Sequence, residues 1–192
     1  MKRFVAAAAL ALATTATAVS AAPEKYNLDA SHSQVMFSYQ HLGFSTTYNM
    51  FSGFEGEIMF DQGSPANSSV RVSMPVKSLF TGWEARFNHF MGDDFFGAKD
   101  GDLITFTSTG IEVTGDTTAK ITGDLTVKDV TSSVVLDAKI NQSGANPLNG
   151  KDWVGFDAST TIKRSDFNLG AFAPNVSDEL EVLISIEAGK AE

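Results

Sequence analysis

Residues 54–76 read FEGEIMFDQGSPANSSVRVSMPV, and they contain two runs of alternating side chains on either side of a turn. In residues 54–60, apolar side chains alternate with glutamates and a methionine. In residues 70–76, valines and a methionine alternate with Arg71, Ser73 and a proline. Since successive side chains of a strand point to opposite faces, this period of two predicts two half-buried strands. Gly and Pro within residues 61–65 predict the turn between them.

The same pattern recurs along most of the chain, with short turns between the runs and no alternation of strands with helices. Eight short strands joined in this way predict an all-β protein, an antiparallel sheet closed into an eight-stranded barrel without exposed edges. A barrel of this size has an interior just wide enough for one small ligand. The other six predicted strands are residues 35–39, 103–108, 119–127, 133–141, 153–163 and 179–187.

One segment, residues 81–91, has helical spacing instead and predicts a short amphipathic helix between the third and fourth predicted strands. Thr81 is the predicted N-cap, and Glu84 completes a capping-box pattern. The apolar face consists of Trp83, Phe87, Phe90 and Met91. The opposite, polar face consists of Arg86, His89 and Asp93.

Composition excludes several classes of function. The 192 residues include 14 Lys and Arg against 23 Asp and Glu, a formal net charge of -9 that disfavours binding to nucleic acid. Cysteine is absent from the sequence, which excludes disulfides, thiol catalysis and cysteine-ligated metals. The length fits one globular domain with a sizeable core.

The N-terminal residues predict export. Lys2 and Arg3 precede an uncharged apolar run, residues 4–13, which is too short to span a bilayer, and small residues follow at 19–21. This order predicts a signal peptide over residues 1–21 and one mature domain over residues 22–192. In a bacterium, such a chain is expected in the periplasm, without stable insertion into the membrane.

We therefore expect mature protein recovered from the periplasm to begin at Ala22 or within a few residues of it, because signal peptidase cleaves after small residues. Intact-mass measurement tests the position directly. Periplasmic protein that still begins at Met1 would contradict the prediction.

The aromatic composition is the strongest indication of a ligand. The sequence has 15 Phe against 3 Tyr and 2 Trp, so most of its aromatic surface carries no polar group. Such rings either fill the barrel's own core or line a cavity for a long apolar ligand.

The histidines do not predict a metal site, because His32, His41 and His89 lack the close spacing of metal ligands. His32 is predicted to lie in a turn before the first predicted strand. His41 and His89 fit either polar positions at the opening of a pocket or structural roles. We expect neither metal nor cofactor.

A last polar motif, RSDF at residues 164–167, follows a predicted strand directly. Arg164 has two interpretations, as a structural residue that forms an ion pair or ties down a loop, or as a donor to a ligand head group. Motifs for a nucleophile elbow, paired catalytic carboxylates or a phosphate loop are absent from the sequence.

Short motifs are spread over essentially the whole predicted mature chain. They are DASHSQVMF at 29–37, HLGFS at 41–45, FSGFEG at 51–56, Arg86 with His89, DFF at 94–96, TFTS at 105–108, GDLTVKDVT at 123–131, GF at 155–156 and RSDF at 164–167. Taken in this order, they resemble the motifs of the YceI-like family of lipocalin-shaped polyisoprenoid-binding proteins. The resemblance implies a lipocalin-like barrel whose tunnel holds an isoprenoid-type lipid, a polyprenyl chain or quinone tail, in the periplasm.

The predicted function is therefore a periplasmic lipid-binding or carrier protein without catalytic residues. The predicted tunnel lining is Phe54, Phe95, Phe96, Phe106, Phe156 and Phe167, and the predicted polar contacts are His41, Arg86, His89, Arg164 and Asp166. Two alternatives remain. One is an enzyme that acts on an amphiphilic ester, amide or quinone, with His41 or His89 as acid or base, and the other is a stress-linked interaction protein. The sequence leaves both a monomer and a homodimer open.

Overall fold

A computed structural model describes residues 22–192, so the predicted signal peptide, residues 1–21, lies outside the described residues. The described chain forms strands and a single α-helix, joined by turns and short 3-10 segments. The helix, α1, is Glu84–Met91. The strands are β1 Glu24–Leu28, β2 Gln34–His41, β3 Ser45–Phe51, β4 Glu55–Phe60, β5 Ser69–Pro75, β6 Leu103–Val113, β7 Thr118–Val127, β8 Val130–Ala145, β9 Asp152–Lys163 and β10 Glu179–Lys190.

The strands form a closed antiparallel barrel. Its ring runs β1-β4-β5-β6-β7-β8-β9-β10, and β1 pairs back onto β10 with Tyr26 opposite Lys190. This ring of eight strands confirms the predicted fold class, and closure leaves its strands without free edges.

The remaining hairpin, β2–β3, extends the wall beyond β1 and β4. β1 and β2 both pair with the same edge of β10, and Val35 of β2 lies opposite Ile184. The two strands therefore lie one after the other along that edge. Similarly, β3 is followed along the wall by β4. The eight predicted strands correspond to β2 and β4 to β10; β1 and β3 were not predicted.

Neighbouring strands of the barrel are antiparallel, so successive connections lie at opposite ends. The two ends differ in the connections that they carry. We call one the turn end; it consists of the short connections 61–68, 114–117 and 146–151. We call the other the helix end; it consists of residues 42–44, 76–102 with α1, 128–129 and 164–178.

The helix lies between β5 and β6, and its first turn differs from the prediction. α1 begins at Glu84 with Trp83 in the N-cap position, without a side-chain cap, so the predicted capping box is wrong. Thr81 is buried, and its hydroxyl donates to the Trp83 carbonyl oxygen at 2.8 Å. Phe87, Phe90 and Met91 pack against the core as predicted, whereas Trp83 is exposed.

Two groups of buried side chains stabilise the barrel. The group at the helix end joins α1 to the wall through residues such as Phe51, Phe90 and Phe167. The group at the turn end consists of Tyr26, Ile58, Phe60, Val154 and Ala188. Open space inside the barrel remains between them.

Candidate functional site

The barrel encloses a cavity of about 490 Å³, lined mainly by apolar side chains from β2 to β10. Its volume falls within the range of about 300–1,000 Å³ that is usual for small-molecule sites. The wall follows the strand period: on β5, for example, Val70, Val72 and Met74 line the cavity and the intervening side chains do not.

The packing of Phe106 on this wall explains why the GDLTVKDVT segment has a glycine at position 123. The Phe106 ring lies over Gly123, and a Cβ atom at Gly123 would stand 2.3 Å from the ring's Cζ atom. Only glycine therefore leaves room for this ring on the wall.

The predicted ligand residues divide into two groups. Those that line the cavity are Phe54, Phe96, Phe106, Phe156, Arg164 and Phe167. Those that do not are His41, Arg86, His89, Phe95 and Asp166. In the second group, Phe95 is buried beneath α1, Arg86 is half-buried, and the other three are exposed.

The cavity reaches solvent at the turn end. Here Gln62, Asp116 and Thr117 are exposed and also line the cavity, whereas lining residues at the helix end, such as Phe51 and Phe167, are buried. We call this opening the mouth, defined by Gln62, Asp116 and Thr117. The polar contacts predicted from the sequence all lie at the helix end. These turn residues were not predicted, because strand periodicity does not show which end of a barrel is open.

Arg164 closes the opposite end. Its guanidinium is buried and donates to four backbone oxygens of the loop that follows it. The distances are 2.9 Å from Nε to Ser177, 2.6 Å and 3.1 Å from Nη1 to Leu169 and Ala171, and 2.8 Å from Nη2 to Val176. Of the two interpretations left open by the sequence, this geometry supports the tie to a loop.

Arg164 does not form a direct ion pair with any of the described side chains. Burial lowers the pKa of Arg164, and the nearby charge of Asp178 opposes that shift. Asp178 accepts hydrogen bonds from the Ser165 hydroxyl at 2.6 Å and the Ser165 amide at 2.8 Å, and the hydroxyl is the main reason that the pKa of Asp178 is lowered. Asp166 is exposed and is not the partner of Arg164.

The polar face of α1 contacts its surroundings rather than the cavity. Arg86 Nη1 donates to the Thr81 carbonyl oxygen at 3.0 Å. His89 is half-exposed, with Nε2 3.6 Å from an Asp94 carboxylate oxygen, and its ring centroid lies 5.1 Å from that of Phe95. Both residues thus fasten the segment that closes the helix end.

His32 lies in a turn, with two carboxylates nearby. Its Nδ1 is 2.7 Å from Asp29 Oδ2, and Asp29, His32 and Glu187 bring possible metal-ligand atoms within 4.8 Å of one another. Glu187 also accepts a hydrogen bond from Trp153 Nε1 at 2.9 Å. These contacts connect the chain before β2 to β9 and β10.

The Asp29–His32 contact predicts a pH effect. The hydrogen bond to Asp29 raises the pKa of His32, and hydrogen bonds from Ser31 and His32 lower the pKa of Asp29. The pair therefore contributes stability between these two pKa values; the contribution is lost as pH rises through the raised value or falls through the lowered one. In an NMR titration, we expect His32 to titrate above its usual range and to return toward it in Asp29→Asn. An identical midpoint in both proteins would contradict this.

None of the helices within residues 22–192 is long and apolar enough to cross a membrane.

Comparisons with known proteins agree with this fold. A family model described as YceI-like domain matches residues 26–188. The Escherichia coli protein named YceI is 38% identical over 167 residues, which cover 87% of this chain and 86% of that protein.

Solved structures also resemble the barrel. Burkholderia cenocepacia BcnA is 27% identical, with a TM-score of 0.75 over 84% of this chain and 99% of the other. A polyisoprenoid-binding domain from Saccharophagus degradans, implicated in plant cell wall breakdown, has a TM-score of 0.67 over 86% of this chain and 98% of its own. At 15% identity, this second likeness concerns the fold alone.

Proposed function

Because this chain belongs to the YceI-like family, we propose that it binds an isoprenoid-type lipid, a polyprenyl chain or quinone tail, inside its barrel and carries it in the periplasm. The proposal combines the family's implied ligand with the chain's predicted export. It assigns a binding role to the barrel and no catalytic role.

The observation that carries the proposal is the apolar cavity, which reaches solvent at the mouth. Burying hydrocarbon contributes about 0.8 kcal/mol per CH₂ group, so each five-carbon isoprene unit offers up to roughly 4 kcal/mol before the costs of ordering the chain. Several units in one cavity therefore suffice for tight binding, and the wall needs few polar groups to hold them.

The geometry gives less support to the enzymatic alternative. The described residues that line the cavity include no histidine, and both His41 and His89 lie outside the wall. A general acid or base must come within hydrogen-bond reach of the reacting group. A ligand inside the barrel would not meet either imidazole in this arrangement.

Extraction of the purified protein tests the proposal. Protein isolated from the periplasm of its own host should release, into organic solvent, close to one lipid per chain, with fragments spaced by isoprene units in mass spectrometry. Delipidated protein should take up a polyprenol again from solution. A chain that arrives empty and takes up no prenyl compound would contradict the proposal, as would turnover of an ester, amide or quinone substrate.

A further inference from the structure

Asn49, on β3, is a buried side chain without a polar partner. It is 3% exposed, and neither its amide nitrogen nor its carbonyl oxygen has a hydrogen-bond partner among residues 22–192. Nearly all buried polar atoms in folded proteins are paired, because an unpaired one loses its hydration without replacement. The pairing group for Asn49 is therefore expected to come from outside the described chain.

Its side chain points toward the barrel interior. On β3, Thr47, Asn49 and Phe51 occupy the more buried face, whereas Thr46 and Tyr48 are exposed. Phe51 lines the cavity, and side chains two residues apart on a strand share a face. Phe37 lies opposite Asn49 on β2 and also lines the cavity.

The protein groups nearest along the backbone are already engaged. Met50 and Phe80 exchange two backbone hydrogen bonds, at 3.0 Å and 2.7 Å, so the next antiparallel step places Asn49 opposite Thr81. The Thr81 hydroxyl bonds to Trp83, and the Thr81 carbonyl oxygen accepts from Arg86. Aromatic rings surround the remaining interior side: the Phe37 and Phe51 rings stack with centroids 5.6 Å apart.

We propose that Asn49 binds the polar head of the lipid, an inference that rests on the proposed function, and that this head is a small uncharged group such as a hydroxyl. The amide of Asn49 both donates and accepts, and a hydroxyl can satisfy both roles at once. A hydrocarbon satisfies neither. A diphosphate only accepts, and the guanidinium groups at this end, those of Arg86 and Arg164, are engaged with backbone oxygens.

This assignment gives the ligand a direction. The head lies at the helix end, and the apolar chain extends along the cavity toward the mouth. Asn49 itself is not part of the cavity wall, which here consists of Phe37 and Phe51, so the head reaches the amide when these two rings turn aside.

A competition experiment tests the inference. Delipidated protein is mixed with equal amounts of geranylgeraniol and the 20-carbon hydrocarbon that lacks its hydroxyl, and the bound species are counted by native mass spectrometry. Wild type should favour the alcohol by about tenfold or more, because the alcohol can form two hydrogen bonds with Asn49 that the hydrocarbon cannot form. Asn49→Leu should bind both equally and melt at the same or a higher temperature. The matched control, Thr47→Val on the same face, should keep the preference.

The outcomes separate the two proposals. Equal binding by wild type, or an undiminished preference in Asn49→Leu, would overturn the head-group role while leaving lipid binding intact. Tighter binding of geranylgeranyl diphosphate than of the alcohol would overturn the uncharged head. Binding of no prenyl compound would overturn the proposed function and this inference together. If Asn49→Leu does not fold, Asn49→Ala gives the same comparison.

Discussion

Arg164→Met is expected to lower the free energy of unfolding by about 3–5 kcal/mol, because it removes a buried donor that satisfies four backbone oxygens, one of them buried and three partly buried. For a domain of this size, that loss corresponds to a fall of roughly 10 °C in melting temperature. Arg164→Lys should recover only part of it, since one ammonium group cannot reach all four oxygens in the same geometry.

Thermal and urea unfolding followed by circular dichroism provide the measurement, with Lys163→Met as the control. Lys163 precedes Arg164 and is exposed, so its loss should change the free energy of unfolding by less than about 0.5 kcal/mol. If Arg164→Met melts like wild type but releases its lipid, the guanidinium serves the ligand rather than the loop.

Blocking the cavity should abolish lipid retention without unfolding the barrel. Ala138 and Ala158 are paired across β8 and β9, and both line the cavity. Phenylalanine at both positions would occupy the space that we assign to the lipid chain. We expect bound lipid to fall by more than tenfold, because the removed contacts are those on which binding depends. The melting temperature should stay within a few degrees, since the added rings enter open space rather than a packed core.

Ser159→Phe is the matched control for this experiment. Ser159 is the next residue along β9, and its side chain is on the exposed face. The control adds the same ring to the same strand outside the barrel, so lipid retention should be unchanged. Retention of lipid by the double variant would show that the ligand is held somewhere other than this cavity.

The sequence predicted the barrel well because its signal is local. Alternation of apolar and polar side chains identified most strands, and turn residues separated them. β3 was missed because its inward positions include Thr47 and Asn49. With polar residues on its buried face, the strand does not show the alternation of apolar and polar side chains. β1 was missed for another reason: it has five residues, of which only Tyr26 is fully buried.

The candidate site was only partly predictable. Phenylalanines on the strands line the cavity at positions that follow from strand periodicity, as with Phe106 and Phe156. The acceptors of Arg164 lie 5 to 13 residues further along and are backbone oxygens, so no side-chain pattern reveals them. Phe95 and Phe96 are neighbours in sequence, yet only Phe96 reaches the cavity, because α1 and the turn after it determine the direction of each ring.

The difference between the two ends of the barrel has a kinetic consequence for a lipid carrier. If the barrel carries lipid as proposed and its helix end stays closed, the donor and the acceptor of the lipid would both use the mouth, so they could not engage one protein molecule at the same time. Transfer would then follow a ping-pong scheme, in which an empty carrier leaves the acceptor before it returns to the donor. Both docking partners would also have to recognise the short connections around Gln62 and Asp116.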